Sequence, residues 1–584
     1  MNASSLDAST PPFDFQTCHE KLLAVMNGTL SIGGVNNETL AQSGWIYDGP
    51  IGLLKDGLRA TITAITYKGC IELCGNATQL NTPTTALQLV TAWIFPLAIL
   101  FNLPYDSVHI RKRRGTFTAA SHWLGSPQTS MTATIFNFDQ IRKCHAEAVG
   151  GRENTYYVLS CFNQFRLPKE NQPNGSERLS FEFMSALVYG LFRPLSDGAK
   201  DGDAENRDIE YTKQLLAVLA KQLRLLRRRG VIPTMLGLGS YLVAFILAIY
   251  LAFGEVGDGV DVTSLILGLL FSWLPMLLIC TVIDRNPISS ERTAELMSRW
   301  LYNVDAVRDW KLLRDRDCAG KDPVWWQGDI PQHFKVGEFI GQGRRPEYAG
   351  LVHAVISTME DECSYEPHEL PVGDSGERAV DFAAYDELAA AVCARYSRRR
   401  PGLWFWSAIR ALFLVWFPVL MAFVVAYTSP TVGMGCWSGP LLMWGALSSF
   451  SWFVSLFKRS AGLWLTRVCH FANGAALLFL VFFTCLTLSG AMSNCYCTTS
   501  SMSSALPYPG GYMTFESYEF VRDRYDVTVP WAMAASFGFA LTLAVFFVEI
   551  ICWVKCQHLW KLKSERERVI RRDAKPRANL DWLE

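Results

Sequence analysis

Residues 403–427 read LWFWSAIRALFLVWFPVLMAFVVAY, a run of 25 residues in which Arg410 is the only charged side chain. A helix needs about 20 consecutive apolar residues to cross roughly 30 Å of hydrocarbon. The basic triplet at 398–400 directly precedes the run, as is typical of the cytosolic end of a membrane span. This stretch therefore predicts a transmembrane helix.

Six further runs of comparable length and composition occur in the chain. Half of the 584 residues are apolar and only 18% are charged, whereas a typical soluble domain carries about 25% charged residues. The 54 basic residues are balanced by 54 acidic ones, which excludes a wholly basic nucleic-acid binder. We expect an all-α membrane protein whose partner is the lipid bilayer, with about seven transmembrane helices at 85–103, 231–254, 263–283, 403–427, 438–457, 468–490 and 530–553.

The orientation follows from the positions of lysine and arginine. Basic clusters flank one side of every predicted span, for example at 111–114, 227–229 and 458–459. The opposite flanks at 254–262 and 428–437 contain neither lysine nor arginine. Because cytosolic flanks are enriched in basic residues, we predict an outer or lumenal N-terminus and a cytosolic C-terminus. The expected location is the plasma membrane or an endomembrane.

This topology divides the rest of the chain into outer and inner segments. The outer segments are 1–84 and the loop 491–529, and the inner segments are 104–230, 284–402 and the basic tail 554–584. The two long inner segments exceed ordinary connecting loops, so we expect them to fold together as one mainly helical cytosolic domain. The basic helix 207–229 and the tail suit contact with anionic inner-leaflet lipids, with packing on the cytosolic domain or simple solvation as the alternatives.

The outer segments carry two signals of an oxidising, glycosylating compartment. N-x-S/T sequons occur at Asn2, Asn27, Asn37 and Asn76. Glycans are added only on the lumenal side, so we predict that these four asparagines are modified. An even number of cysteines also falls outside, and these are candidates for disulfides, with free thiols as the alternative: Cys18, Cys70, Cys74, Cys436, Cys495 and Cys497. Six cysteines allow 15 pairings, so the connectivity stays open.

Ionisable side chains inside predicted spans are costly and raise the question of function. The three found here are Arg410, His470 and Glu549, all towards the cytosolic ends of their spans. This position favours a structural Arg410–Glu549 ion pair over an ion pathway at the centre of the membrane.

Motifs for catalysis and metal binding are weak throughout the sequence. Neither H-E-x-x-H nor a pair of C-x-x-C motifs occurs. The Asp315-Arg316-Asp317 spacing matches that of metal-dependent sugar transferases but fits the charged end of a helix better. The stretch 337–345 fits an exposed turn better than an anion site. We predict no catalytic residue, no metal and no cofactor, and hence a protein that is not an enzyme.

Several short motifs occur together between about residues 60 and 490: Tyr67-Lys68-Gly69-Cys70 with Leu73-Cys74-Gly75, Phe271-Ser272-Trp273-Leu274-Pro275, Asp284-Arg285-Asn286-Pro287, Gly341-Gln342-Gly343-Arg344, and Pro430-Thr431-Val432-Gly433 before Gly435-Cys436. They resemble a family of fungal multi-pass membrane proteins. The family has no assigned molecular activity, so the resemblance implies a filamentous-fungal source and a membrane role but no functional residue. Its members are sometimes encoded beside specialised-metabolite genes.

Three classes of function are compatible with these observations. A membrane scaffold or sensor-like protein is preferred, because few polar groups lie within the predicted spans. A transporter or export component, for example one accessory to a fungal specialised-metabolite pathway, is the alternative and requires a polar cavity near the centre of the membrane. A membrane-bound enzyme is the least favoured, because no acid–base or metal constellation was found.

Overall fold

A computed structural model describes most of the chain: residues 15–49, 51, 63–75, 78, 80, 110–148, 151–171, 177–195, 207–227, 231–253, 262–284, 287–315, 323–341, 350–364, 382–397, 402–429, 433–457, 463–499, 511–514 and 527–560. The predicted span 85–103, the sequons at Asn2 and Asn76, and residues 561–584 of the basic tail lie outside the described residues.

The described part of the chain is mostly helical, as the all-α prediction requires. Its first half contains α1 (Phe15–Met26), β1 (Ala64–Thr66), α2 (Tyr67–Cys74), α3 (Ile110–Gly125), α4 (Pro127–Glu147), α5 (Glu153–Phe162), β2 (Lys169–Asn171), β3 (Glu177–Leu179), α6 (Phe181–Phe192), α7 (Arg207–Leu225) and α8 (Val231–Phe253). Its second half contains α9 (Val262–Phe271), α10 (Trp273–Asp284), α11 (Ser290–Asp315), α12 (Leu351–Ser364), α13 (Phe382–Ser397), α14 (Gly402–Thr428), α15 (Gly439–Phe457), α16 (Leu463–Ser489), α17 (Cys495–Thr498), β4 (Tyr512–Thr514) and α18 (Thr528–Trp560).

Three helical stretches in the described residues are long and apolar enough to cross a membrane. They are Gly402–Thr428, Arg467–Ser489 and Thr528–Cys552. Two shorter apolar stretches are Leu236–Tyr250 and Val262–Leu278. These helices indicate a membrane protein, while the number of seven spans and their orientation stay predictions.

The apolar run predicted as one span at 263–283 is divided into α9 and α10. The division falls at Ser272, whose backbone N–H and hydroxyl both donate to the carbonyl oxygen of Leu269, at 3.2 and 2.9 Å. Pro275 follows three residues later and has no N–H to donate, so the helix is interrupted one turn before it. Hydropathy alone does not register such an interruption.

The apolar helices α8–α10, α14–α16 and α18 form one bundle around a continuous hydrophobic core. The indole rings of Trp273 and Trp444 stack in it, with centroids 6.1 Å apart. Met131 and Ile135, from the first half of α4, belong to the same core although that helix lies outside the predicted spans.

A second hydrophobic core belongs to the helical domain, which comprises α5–α7 and α11–α13. It joins residues from both long segments that were predicted to be cytosolic, including Tyr157, Phe183, Trp300 and Val355. Gly190 of α6 lies directly under the Trp300 ring, where a Cβ atom would approach within 2.7 Å of the indole. The second half of α4 completes this core through Ile141.

A third, smaller core lies at the opposite end of the bundle, in the disulfide-linked domain (residues 15–49, 51, 63–75, 436, 490–499 and 511–514). β1 pairs with β4 in antiparallel register, with Ala64 opposite Thr514. The Trp45 indole donates to the Glu72 carboxylate at 2.9 Å. This domain caps the end of α14 that lies away from the helical domain.

Candidate functional site

Helices α3 and α4 are separated by a single residue, within the sequence Gly125-Ser126-Pro127. A residue that precedes proline is disfavoured in helical conformation, and Ser126 has φ −145° and ψ 69°. Pro127 then occupies the first turn of α4, where its missing N–H costs nothing. The Ser126 hydroxyl lies 2.7 Å from that of Thr129 and donates to the Ser448 carbonyl at 3.1 Å.

Helix α3 runs parallel to α16. The rings of His122 and His470 lie 5.3 Å apart, and His122 Nδ1 accepts from the amide nitrogen of Asn473 at 2.9 Å. Gly125, one turn after His122, lies against the backbone of Asn473, one turn after His470. Because successive turns meet in the same order, the two helices point in the same direction.

Helix α4 runs parallel to α15, because successive turns of these two helices also meet in the same order. The Gln128 amide donates to the hydroxyls of Ser448 and Ser449 at 2.9 and 3.2 Å. One turn later, Thr132 accepts from the indole of Trp452 at 3.1 Å. α15 and α16 are consecutive and antiparallel, so α3 and α4 form a hairpin that enters and leaves the bundle on the same side. We call residues 110–147 the polar hairpin.

The turn of the polar hairpin lies beside the central part of α14. The Trp416 indole donates at 2.8 Å to the same Ser449 hydroxyl that accepts from Gln128. Trp416 is 14 residues after Gly402, so it lies roughly 21 Å along a helix of about 40 Å. The turn is therefore level with the middle of a helix long enough to cross a membrane.

The polar hairpin buries an unusual number of polar side chains for an apolar bundle. Those of α4 and its preceding residue are Ser126, Gln128, Thr129, Ser130, Thr132, Thr134, Asn137, Asp139 and Gln140. Hydroxyls of Thr132 and Thr134 donate back to carbonyl oxygens of their own helix, at 2.7 Å each. A buried polar group without a hydrogen bond costs about 1–3 kcal/mol, and the hydroxyls avoid that cost in this way.

Two buried amide oxygens near the turn are exceptions. Gln128 Oε1 and Asn473 Oδ1 have no hydrogen-bond partner among the described residues, and both side chains are fully buried. Each amide already donates from its nitrogen, to Ser448 and His122 respectively. The turn therefore presents acceptor atoms that a hydrogen-bond donor would satisfy.

A small cleft opens beside the first two turns of α4. Its volume is about 220 Å³, including open solvent, and its lining residues are Thr129, Thr132, Ala133, Trp404, Trp452, Ser455 and Leu456. Hydroxyl and indole groups face it and no charged side chain does. The enclosed space is about the size of one water molecule, far below that of sites for drug-sized ligands.

Arg410 contacts the polar hairpin through an acidic residue that the sequence analysis did not name. Its guanidinium lies 3.1 Å from a carboxylate oxygen of Asp139, a side chain that is only 3% exposed. The side chain of Glu549 lies outside the described part of the chain, so the Arg410–Glu549 pair stays a prediction. His470, the third ionisable group expected within a span, lies beside His122.

All six cysteines singled out from the sequence lie in three pairs at disulfide distance. The Cα–Cα separations are 5.0 Å for Cys18–Cys74, 5.7 Å for Cys70–Cys495 and 5.0 Å for Cys436–Cys497. These pairs connect the N-terminal segment and both loops that follow α14 and α16. Among the described residues, Cys70, Cys74 and Cys495 lie close enough together to hold a metal ion. The sulfur atom of each, however, belongs to one of these cysteine pairs.

Two of the predicted glycosylation sites lie in the disulfide-linked domain. Asn27 and Asn37 are both exposed, as a glycan would require, and their modification stays a prediction.

Comparisons with known proteins return nothing: no family model, no curated protein and no solved structure matches this chain. The resemblance to fungal multi-pass membrane proteins therefore stays a prediction.

Proposed function

We propose that the protein is a membrane transport protein in which the polar hairpin guides a small, uncharged polar solute to the centre of the bundle. The observation that carries this proposal is a helix break, with unsatisfied amide oxygens beside it, level with the middle of α14. The proposal assigns no catalytic reaction to the chain.

The backbone of the hairpin supports this proposal. In lipid, a chain break is tolerated only where it is buried in protein or lines a water-filled cavity. Transporters place broken helices at their substrate sites, near the middle of the membrane. Gly125 and Ser126 form such a break and are enclosed by α15 and α16.

The chemistry around the turn supports an uncharged solute. The cleft is lined by three hydroxyls and two indoles together with the apolar side chains of Ala133 and Leu456, so it offers hydrogen bonds without charge. The unsatisfied oxygens of Gln128 and Asn473 are buried beside the turn and do not line the cleft, so a solute that donates hydrogen bonds would reach them only after the hairpin moves. A small polyol has these hydrogen-bonding properties.

The position of the polar groups favours transport more than the sequence does. The predicted spans contain few polar groups, which favoured a scaffold or sensor. In the structure the polar groups come from the hairpin, which lies outside every predicted span, and they meet Ser448, Ser449 and Asn473 inside the bundle.

The proposed topology places the N-terminus and the disulfide-linked domain outside and the helical domain in the cytosol. Three cysteine pairs support this orientation, because disulfides form and persist in oxidising compartments. The hairpin then enters the membrane from the cytosolic side, since its second helix ends in the core of the helical domain.

The transport proposal is tested by solute flux into proteoliposomes that contain the full chain. Stopped-flow light scattering measures swelling in iso-osmolar glycerol, erythritol and sorbitol. Wild-type vesicles are expected to swell faster than protein-free vesicles in at least the smallest polyol. Gln128→Leu removes the hydrogen-bonding amide and is expected to lower the protein-dependent rate about tenfold.

The matched control is Gln214→Leu, because Gln214 lies on α7 in the helical domain. This variant is expected to retain the wild-type rate. Wild-type vesicles as impermeable as protein-free ones to all three polyols would contradict the proposal, and so would equal rates for wild type and Gln128→Leu.

A sensor-like role is the second candidate, and the continuity of α4 favours it. This one helix contributes Met131 and Ile135 to the core of the bundle and Ile141 and Cys144 to that of the helical domain. A displacement at the turn would therefore reach the helical domain directly. Absence of polyol flux, together with protease protection of the helical domain that changes on reduction of the disulfides, would favour this candidate.

A further inference from the structure

Two arginines share one buried carboxylate at the surface of the bundle. Asp139 Oδ2 lies 3.1 Å from the Arg410 guanidinium, and Oδ1 lies 3.6 Å from that of Arg142. The Asp139 side chain is 3% exposed, whereas those of Arg410 and Arg142 are 47% and 65% exposed. The cluster carries a net charge of +1, and the positive charge is on its exposed side.

The surroundings of this cluster on α14 are apolar. Arg410 lies eight residues after Gly402, or roughly 12 Å along a helix long enough to cross a membrane. The neighbouring residues that face outward on the same helix are large and apolar: Phe405 at 49%, Trp406 at 63%, Ile409 at 54% and Phe413 at 53% exposure. Acyl chains cover such a surface, and an arginine side chain there extends to the headgroup level.

We infer that Arg142 and Arg410 form a binding site for the phosphate group of an anionic phospholipid, whose acyl chains lie along the exposed face of α14. Guanidinium groups bind phosphate through paired, charge-assisted hydrogen bonds. Asp139 positions both arginines but neutralises only one charge, so the site keeps a net attraction for an anion. Basic pockets beside membrane helices bind anionic headgroups in this way.

This inference depends on α14 crossing a membrane and does not depend on the transport proposal. It gives the predicted preference for anionic lipid a specific location, on the hairpin and α14, in place of the basic helix 207–229 or the tail. Lipid binding and polyol flux are measured separately, so either can fail alone.

The test measures lipid binding to the purified full-length protein by native mass spectrometry and by thermal unfolding. Phosphatidylglycerol, phosphatidylcholine and inorganic phosphate are titrated in parallel. We expect bound lipid and an increase in Tm with phosphatidylglycerol, a much smaller response to phosphatidylcholine and none to inorganic phosphate. A response to inorganic phosphate equal to that for phosphatidylglycerol would overturn the assignment to a lipid.

Charge variants make the test specific to the site. Arg142→Gln removes an exposed side chain and is expected to weaken phosphatidylglycerol binding roughly fivefold, since one basic group near a membrane surface contributes about 1 kcal/mol. Asp139→Asn raises the charge of the site to +2 and is expected to strengthen binding. The control Arg207→Gln changes an exposed arginine at the start of α7 and is expected to have no effect.

Two results would overturn the inference. One is wild-type affinity in Arg142→Gln, and the other is weaker binding in Asp139→Asn that remains folded by circular dichroism. If Asp139→Asn does not fold, the comparison of Arg142→Gln with Arg207→Gln decides the question.

Discussion

Gly125 shows how one missing side chain sets the packing of the polar hairpin. A Cβ atom at this position would collide with the carbonyl oxygen of Asn473, so α3 and α16 touch backbone to backbone. A Gly-Ser-Pro sequence is a visible signal for a helix break. The helix that the glycine approaches is more than 340 residues away in the chain, and no local pattern identifies it.

Replacing this glycine by alanine should loosen the hairpin. We expect Gly125→Ala to destabilise the protein by about 1–3 kcal/mol, because the added methyl group forces α3 away from α16. Gly474→Ala is the control, since a Cβ atom there meets nothing within 4 Å and alanine favours a helix. Thermal unfolding in detergent measures both variants, and equal melting temperatures would contradict the close approach.

Asp139 is buried and Arg410 is about half exposed, so replacing one or the other should change stability by different amounts. Arg410→Gln leaves a carboxylate that is 3% exposed with only the more distant Arg142, and we expect a loss of roughly 2–4 kcal/mol. Asp139→Asn leaves an exposed arginine that can reach headgroups, so we expect a smaller loss. The double variant, which combines Asp139→Asn with Arg410→Gln, should have a higher Tm in detergent than Arg410→Gln alone. A double variant less stable than Arg410→Gln would exclude the pairing.

The helical domain contains a carboxyl group whose titration should make stability depend on pH. Burial and the neighbouring Asp309 raise the pKa of Asp305 to about 6, against the opposing effect of Arg308. The folded state therefore holds a proton that the unfolded state releases at lower pH, so this contribution to stability is lost as pH rises from about 4 through 6.

Removing this carboxyl group tests the pH effect. We expect Asp305→Asn to flatten the decline in melting temperature between pH 4.5 and 7, measured by differential scanning fluorimetry of the full chain. Asp329→Asn, at an exposed carboxylate, is the control and should retain the wild-type decline. The same pH profile for Asp305→Asn and wild type would contradict the assignment.

Among the helices, hydropathy predicted long apolar ones such as α14 but gave no indication of the break between α9 and α10 or of the hairpin. The run 403–427 corresponds to α14 within one residue at each end, because a long apolar helix needs no further information. α4 was assigned to a cytosolic segment, and the sequence 127–134 is polar enough to justify that. Its burial depends on partners such as Ser448 and Trp452, which only the fold brings to it.

The Asp139–Arg410 ion pair could not be predicted either, because only the fold brings its two residues together. Arg410 was singled out as a charge within a predicted span, but Asp139 lies in a segment where acidic residues are common. Nothing in the local sequence distinguishes Asp139 from its neighbours. The cysteines are the opposite case, since compartment and even number were enough to select the six residues that lie in pairs.

At the scale of the whole molecule, the three cysteine pairs define one end of the bundle. We expect peptide mapping under non-reducing conditions to recover Cys18–Cys74, Cys70–Cys495 and Cys436–Cys497. Glycosidase treatment of the same sample should increase mobility, and replacing Asn2, Asn27, Asn37 and Asn76 together by glutamine should abolish the shift. Other pairings, or free thiols at these positions in protein from intact cells, would contradict an outer location.

If the polar hairpin lies inside the apolar bundle, Gln128 and Ser448 must be close together, and cross-linking measures this. Their side chains are 2.9 Å apart, so cysteines at both positions should react with one short bis-methanethiosulfonate cross-linker in native membranes. Gln128→Cys with Met443→Cys is the control pair, because Met443 is 53% exposed on α15. We predict a cross-link in the first pair and none in the second. No cross-link at 128–448, with Gln128→Cys instead labelled by a charged maleimide in the cytosolic solution, would contradict the account.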